Sequence, residues 1–297
     1  LEIFGFGICL VEILKGSIMF DILSKQQLAA GITRFIIKAP QIARNANAGQ
    51  FIILRLYEKG ERIPLTIADF DTAAGTISII AQEIGKTTAA LSMLKVNDTI
   101  LDVAGPLGRP TNIEILGTVC AVAGGVGTAE IIPVAKSFKQ AGNKVLGIIG
   151  ARNKELIILE NELKSSCDDL IIVTDDGSYG KKGFVTDALS GLIERQVHID
   201  MVYAIGPVPM MKAVAALTRK HNIKTIVSLN PIMVDGTGMC GVCRVSIGGK
   251  TRFACVDGPE FDAHQVNWEE LTSRLSLFKT EEKEALEKYK CDNCKIQ

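Results

Sequence analysis

Three cysteines and one aspartate near the C-terminus carry the most concentrated chemistry in this 297-residue chain. Cys240 and Cys243 stand in a C-x2-C turn flanked by Gly238 and Gly241, and Cys255 follows inside Arg252-Phe-Ala-Cys-Val-Asp-Gly258. Asp235 precedes Cys240 by five residues and could supply a carboxylate. The short spacing lets one loop aim two thiolates at one metal centre, and glycines permit a backbone wrap that larger residues block. Three thiolates are one short of the four that an iron–sulfur cluster usually takes, and zinc held by three Cys and one other ligand uses similar spacing. Spacing alone therefore points to a metal site and leaves the metal open. Buried cysteines with no ligand role are the third option.

The elements that must position this loop divide the chain. Phe20-Asp-Ile-Leu, Thr33 to Lys38, Phe51 to Leu56 and Thr76 to Ala81 are short, rich in β-branched residues and separated by turn-formers, which predicts an antiparallel barrel over 19–112 with one helix near Thr88 to Leu94. From Thr118 the pattern changes to apolar strands alternating with helical segments, which predicts a doubly wound α/β parallel sheet over 113–229. The expected strands there are Thr118 to Ala123, Lys144 to Gly150, Asp169 to Thr174, Asp200 to Ile205 and Thr225 to Leu229. Helices are expected over Ala129 to Ala141 and over Lys154 to Lys164. The metal loop then occupies 230–265 and a helical arm 266–297, with residues 1–18 as an N-terminal extension.

Each part carries its own candidate residues. Arg62-Ile-Pro64-Leu65-Thr66 offers a fixed cation, a stiffened strand and a hydroxyl, although Arg62 alone reads equally well as a solvated strand end. Gly85-Lys86-Thr87-Thr88 places a glycine and hydroxyls at a helix start, where backbone N–H groups favour a pyrophosphate; a plain helix N-cap at Thr87 is the alternative. Gly124-Gly125-Val126-Gly127-Thr128 follows a strand and opens a helix, but Glu130 stands where a dinucleotide fingerprint has its third glycine. Arg152 follows the second strand and reads either as a ribose neighbour or as a surface residue.

The spacing Asp235-x4-Cys240-x2-Cys243-x11-Cys255 resembles the iron–sulfur segment of a flavoprotein family in the ferredoxin reductase superfamily. That family includes the dihydroorotate dehydrogenase electron-transfer subunit, sulfide dehydrogenase subunit beta and the small subunit of NADH-dependent reduced ferredoxin:NADP+ oxidoreductase. The resemblance runs from about Met19 to the C-terminus and recurs in order. Arg62 to Thr66 is similar to the flavin segment, Gly85 to Thr88 to the flavin pyrophosphate turn, and Gly105-Pro-Leu-Gly108 to the motif closing the barrel. Gly124 to Thr128 resembles the nucleotide turn. Asp175-Asp176-Gly177-Ser-Tyr-Gly resembles the nucleotide-side loop, and Gly206-Pro207-x-x-Met210 the nicotinamide-side turn. Two positions depart from the pattern: Glu130 replaces a common Pro, and Ile205 replaces a common Cys.

The resemblance implies FAD, NAD(H) or NADP(H), and a [2Fe-2S] cluster held by Asp235, Cys240, Cys243 and Cys255. It also implies a larger flavin and iron–sulfur partner subunit, with ferredoxin reached through the complex. An aspartate as first ligand is similar to the ferredoxin:NADP+ oxidoreductase and sulfide dehydrogenase branches, whereas the dihydroorotate branch has cysteine there. Such a chain is a hydride- and electron-transfer flavoprotein with no side chain needed as acid or base. A zinc-stabilised binding module is the competing reading.

Composition narrows the rest. Hydrophobic residues make up 47% and the 33 basic residues balance 33 acidic ones, so no basic face suited to nucleic acid is expected. The apolar run Ile3 to Val11 is far shorter than the ~20 residues a membrane span needs. Of the eight cysteines, four stand in C-x2-C pairs, which suggests metal ligation and a reducing cytoplasm; Cys9, Cys120 and Cys167 are scattered, and Cys120, in an apolar run, reads as core. Cys291 and Cys294 form a second C-x2-C without nearby ligands, at the end of a charged helix expected over residues 280–290 with Thr280 as N-cap. His264 reads as a loop residue, and the arm from Trp268 onward as an exposed docking element.

Overall fold

The computed structural model describes residues 19–294, with side chains to residue 292. The expected N-terminal extension, Cys9 and the Cys294 thiol lie outside the described residues.

The first half is a barrel of two antiparallel sheets. Strands β1 (Phe20–Ala29), β2 (Ile32–Lys38), β5 (Asp69–Asp71), β6 (Thr76–Gln82) and β7 (Thr99–Ile100) form one sheet in the order β5-β6-β2-β1-β7. Strands β3 (Phe51–Arg55), β4 (Ile63–Thr66) and β8 (Asp102–Leu107) form the other, in the order β4-β3-β8. Alternation along these strands turns Ile22, Phe35, Ile37, Ile52, Leu54, Ile77 and Ile79 into one apolar interior. Pro64 is tolerated because β4 is an edge strand, where a missing N–H breaks no ladder. Helices α1 (Pro40–Asn45) and α2 (Lys86–Met93) close the barrel.

The second half is a parallel sheet. Strands β9 (Thr118–Gly124), β10 (Lys144–Ala151), β11 (Asp169–Thr174), β12 (Lys181–Lys182), β13 (Met201–Ile205) and β14 (Lys224–Ser228) alternate with α3 (Gly127–Gln140), α4 (Glu160–Ser166), α5 (Val185–Glu194) and α6 (Val208–Lys220). The sheet order is β12-β11-β10-β9-β13-β14-β17, where β17 (Glu260–Asp262) comes from the cysteine segment and runs antiparallel to β14. Chain order reverses between β9 and β13, so a ligand crevice is expected at the C-terminal ends of those strands. Six of the seven β9 residues are buried, as a strand covered on both faces requires. Val119, Ala121, Phe138 and Tyr203 pack on the α3 side, and Val122, Ile148, Leu189 and Met211 on the other.

The C-terminal segment adds the hairpin β15 (Arg244–Ile247) with β16 (Lys250–Phe253), the turn α7 (Ala254–Asp257), α8 (Trp268–Leu275) and α9 (Lys279–Cys294). Three expectations change here and in the nucleotide half. Residues 154–164 are not one helix: Ile158 and Leu159 leave the helix to bury against Ile32, Ala68 and Ile80 of the barrel, and α4 starts only after Leu159. Trp268 is 8% exposed and anchors α8 in the core, so the exposed part of the arm starts beyond it. Helix α9 begins at Lys279, which puts Thr280 inside the helix rather than at its cap, and α9 lies against α2 of the barrel. Among the described residues, no helix is long and apolar enough to cross a membrane.

Candidate functional site

The switch point of the parallel sheet opens a crevice of about 770 Å3 lined from both halves of the chain. Gly124, Gly125 and Gly127 line it after β9, Arg152 after β10, Asp175 after β11, and Gly206, Pro207 and Met210 after β13. The glycines are needed for close approach. A Cβ on Gly127 would lie 2.5 Å from the Ile205 carbonyl oxygen, and one on Gly124 would lie 2.5 Å from Met210 Sδ. The hydroxyl of Thr128, fully buried in the first turn of α3, has no hydrogen-bond partner. That hydroxyl does not line the crevice; the start of α3 at Gly125 to Gly127 does, and a helix N-terminus favours an anionic pyrophosphate through its free amides and dipole. Asp176 and Gly177 do not line the crevice. Asp176 instead ties the loop, accepting from the Ser178 amide at 2.9 Å and its hydroxyl at 2.7 Å, which holds its carboxyl below the usual range.

The barrel contributes Ile32 and Gln82 to the crevice wall. Thr66, at the end of β4, lies near Glu130 across the domain boundary. Burial pushes the Glu130 carboxyl up to about 7, against the lowering effect of the Thr66 hydroxyl. The expected pyrophosphate turn of the barrel is also assembled. Gly85 precedes α2, a Cβ there would meet nothing within 4 Å, and the Thr88 hydroxyl accepts from the Gly85 amide at 3.1 Å. Glu61, next to Arg62, draws the β4 end toward this turn: it accepts from the Thr87 hydroxyl and lies 4.0 Å from Lys86 Nζ. Arg62 is exposed and shares a hollow of about 530 Å3 with Asp235 of the cysteine loop. Gly105 and Gly108 have packing roles, since Cβ atoms there would press on Ile52 and on Phe51 and Pro259.

The cysteine loop is packed onto the barrel. Gly236 sits with φ +77, and a Cβ there would come 2.6 Å from Leu107 and 2.9 Å from Ile53. Cys243 and Cys255 are buried with their sulfurs 3.2 Å apart, whereas Cys240 is exposed. Burial and the Cys243 neighbour push the Cys255 thiol up to about 12, so ionising it requires a compensating cation such as a metal centre. Asp235 accepts from the Thr237 amide at 2.8 Å and the Cys240 amide at 3.0 Å, which keeps its carboxyl ionised below the usual range. The four expected ligands thus stand as two pairs, Cys243 with Cys255 and Asp235 with Cys240. Among the described residues no three such side chains are closed round one point. As a donor set, three sulfurs and one carboxylate suit iron–sulfur or zinc. Cys291 is exposed, while Cys120 is fully buried and its thiol is raised by burial to about 12, as a core residue's would be. His264 bonds the Thr218 hydroxyl at 3.0 Å, a structural role.

Comparison with known proteins decides the family. The chain is 47% identical over 274 residues to the dihydroorotate dehydrogenase B (NAD(+)) electron transfer subunit homolog of Thermotoga maritima, covering 92% of this chain and 96% of the relative. It belongs to the dihydroorotate dehydrogenase B electron-transfer subunit family. The Streptococcus mutans dihydroorotate dehydrogenase B electron transfer subunit of this family is 31% identical, over 82% of this chain and 96% of its own. Residues 230–267 match the iron-sulfur cluster binding domain of dihydroorotate dehydrogenase B. Among solved structures, a chain of the NADH-dependent reduced ferredoxin-NADP oxidoreductase superposes with a TM-score of 0.88 at 45% identity, covering 93% of this chain and 99% of that one. The family assignment agrees with the ferredoxin reductase-like order of barrel, nucleotide sheet and cysteine segment.

Several residues escaped sequence reasoning. Glu260 on β17 accepts from Tyr203 at 2.6 Å and from Thr111 at 2.5 Å, joining three parts of the chain. Glu61 and the crevice-lining Phe184, an aromatic left 61% exposed, had no spacing signal beside them.

Proposed function

We propose that this chain is an electron-transfer subunit that passes electrons between NAD(P)H, FAD and a [2Fe-2S] cluster, to or from a larger partner subunit. The nucleotide would lie in the crevice at Gly124 to Thr128, Arg152, Asp175 and Gly206 to Met210. FAD would lie on the barrel at Arg62 to Thr66 and Gly85 to Thr88, and the cluster on Asp235, Cys240, Cys243 and Cys255. Bound FAD supplies the conversion between a two-electron hydride and single electrons.

The observation that carries the reading is the way the three candidate segments are joined in one scaffold. The cysteine segment donates β17 to the nucleotide sheet. Its Gly258 carbonyl accepts from the Arg109 amide at 2.7 Å in the linker that closes the barrel. The chain would therefore hold three groups in a fixed relation to one another. No side chain need form a bond to substrate.

The partner is argued from the same scaffold. One crevice suits one nucleotide, and the relatives are named as electron-transfer subunits. By likeness to the 45% identical solved chain, we assign the partner to a ferredoxin:NADP+ oxidoreductase large subunit, with ferredoxin reached through the complex. Sulfide dehydrogenase subunit beta and the dihydroorotate dehydrogenase electron-transfer subunit are the neighbouring assignments. A reducing cytoplasm is the compartment this chemistry needs. In the test, the purified chain oxidises NADH with an artificial dye but couples NADH to ferredoxin and NADP+ only after the large subunit is added. Complete coupling by the single chain would overturn the subunit reading.

A further inference from the structure

The crevice follows the C-terminal ends of five neighbouring strands, β14, β13, β9, β10 and β11, where Ser228, Gly206, Gly125, Arg152 and Asp175 line it in turn. The glycine turn after β9 stands at the middle. Past β14 the chain runs through Asn230 into the cysteine segment, so that end of the crevice adjoins the candidate cluster. The opposite end is a rim at β10 and β11. There the Asp175 amide donates to the Ala151 carbonyl at 3.0 Å and the Asp176 amide to the Arg152 carbonyl at 3.3 Å. Phe184 lines the crevice at this rim, because the amide of the preceding Gly183 donates at 3.0 Å to the carbonyl of Thr174, the last residue of β11.

Packing does not account for an aromatic at position 184. The Phe184 side chain is 61% exposed, although the next residue, Val185, is buried and presses on Gly150, where a Cβ would lie 2.4 Å from Val185 Cγ1. Helix α5 buries Val185, Ala188, Leu189 and Leu192, and Phe184 stands outside that face, at the N-cap. Ser, Thr, Asp or Asn is favoured there, because its side chain satisfies a free amide. Asp187 works in the reverse direction, accepting from the Phe184 amide at 2.7 Å. A phenylalanine at this position gives up a cap and leaves its ring in water. A local rule broken without a packing gain is expected where a chain binds something. Val185, with Pro209 and Ala213 of α6, continues the apolar wall beside the ring.

We propose that the Phe184 ring stacks on the adenine of the dinucleotide in the crevice. This rests on the assignment of NAD(P)H to that crevice. With the pyrophosphate on the turn after β9, the nicotinamide points to the end that adjoins the other redox groups, and the adenosine points to β10 and β11. Neighbouring strands lie ~4.8 Å apart, so the end of β11 is about 10 Å from the end of β9, a span that a ribose and a purine bridge together. Every base presents a flat π-face, and stacking covers an aromatic ring that otherwise stays in water. Phenylalanine offers the base no hydrogen bond, so its contribution is affinity for the adenine half and leaves hydride transfer at the other end unchanged.

The test compares Phe184→Ala with the parent, both FAD-loaded, using NADH and reduced nicotinamide mononucleotide, which lacks the adenosine half, as donors to an artificial dye. With NADH the variant's KM should rise about tenfold at unchanged kcat, and ADP-ribose should inhibit it about tenfold less tightly, the scale of one stacked base. With the mononucleotide, parent and variant should be alike. Phe184→Trp should restore the parent KM, and its indole emission should fall on addition of ADP-ribose but not of nicotinamide mononucleotide. An unchanged ADP-ribose inhibition constant in Phe184→Ala, or an equal loss with the mononucleotide, would overturn the stacking while leaving the nucleotide in the crevice. A parent that binds neither NADH nor ADP-ribose would overturn both.

Discussion

Replacing Glu130 by Gln should make the protein more stable above neutral pH, a direction opposite to that for most buried-site substitutions. In the folded chain the carboxyl is raised from 4.5 to about 7, chiefly by burial. The folded state therefore binds more protons than the unfolded state between those values. Below the unfolded value both states are protonated and the stabilising contribution of the neutral acid is fully present; it is lost as pH rises through the folded value. At about 1.36 kcal/mol per pH unit of difference, the ionised form costs about 3 kcal/mol once pH exceeds the folded value. Glutamine keeps the shape without the charge. Urea unfolding of the two proteins across the acid-to-alkaline range should give curves that coincide in acid and diverge through neutrality to about 3 kcal/mol in favour of Gln. Parallel curves would refute the reasoning, because they would mean that Glu130 ionises in the fold as readily as in the unfolded chain.

Three other perturbations probe separate parts of the account. Arg62→Ala should weaken flavin retention by about 1.5–3 kcal/mol, the value of a charge-assisted contact; full FAD occupancy after dilution and gel filtration would remove Arg62 from that role. Gly127→Ala drives a Cβ to within 2.5 Å of the Ile205 carbonyl, so the β9–α3 turn must shift, at a cost of about 1–3 kcal/mol. NADH binding measured by quenching should weaken in that variant with FAD retained. Tyr203→Phe takes a donor from Glu260, where hydrogen bonds to charged groups are worth about 1.5–3 kcal/mol; urea unfolding should report that loss.

The sequence was most readable where period and spacing coincide. The run Thr118 to Gly127 is recognisable because a fully buried strand must be apolar and a phosphate turn must be glycine-rich, and both conditions fall in ten consecutive residues. Asp235 and the three cysteines are legible for a similar reason, since ligand chemistry restricts residue type. What stayed hidden depends on contacts distant in sequence. Ile158 and Leu159 break an apparently helical segment because the barrel's Ile32 and Ile80 offer them a dry surface. Strand β17 is three residues long and pairs only because β14 has an open edge. Glu260 carries no spacing signal, because its partner Tyr203 lies 57 positions away in the chain. In the sequence Glu130 shows only as a departure from a motif, because its neighbour Thr66 lies on a different domain.

The central claim, a flavin and an iron–sulfur centre in one electron-transferring chain, is tested most directly by the visible and low-temperature EPR spectra of the reduced protein, compared with Cys243→Ala. The expected result is a brown-yellow protein whose iron and reduced-cluster signal disappear in the variant while its flavin absorbance persists. A colourless protein containing zinc, or unchanged iron in Cys243→Ala, would contradict it.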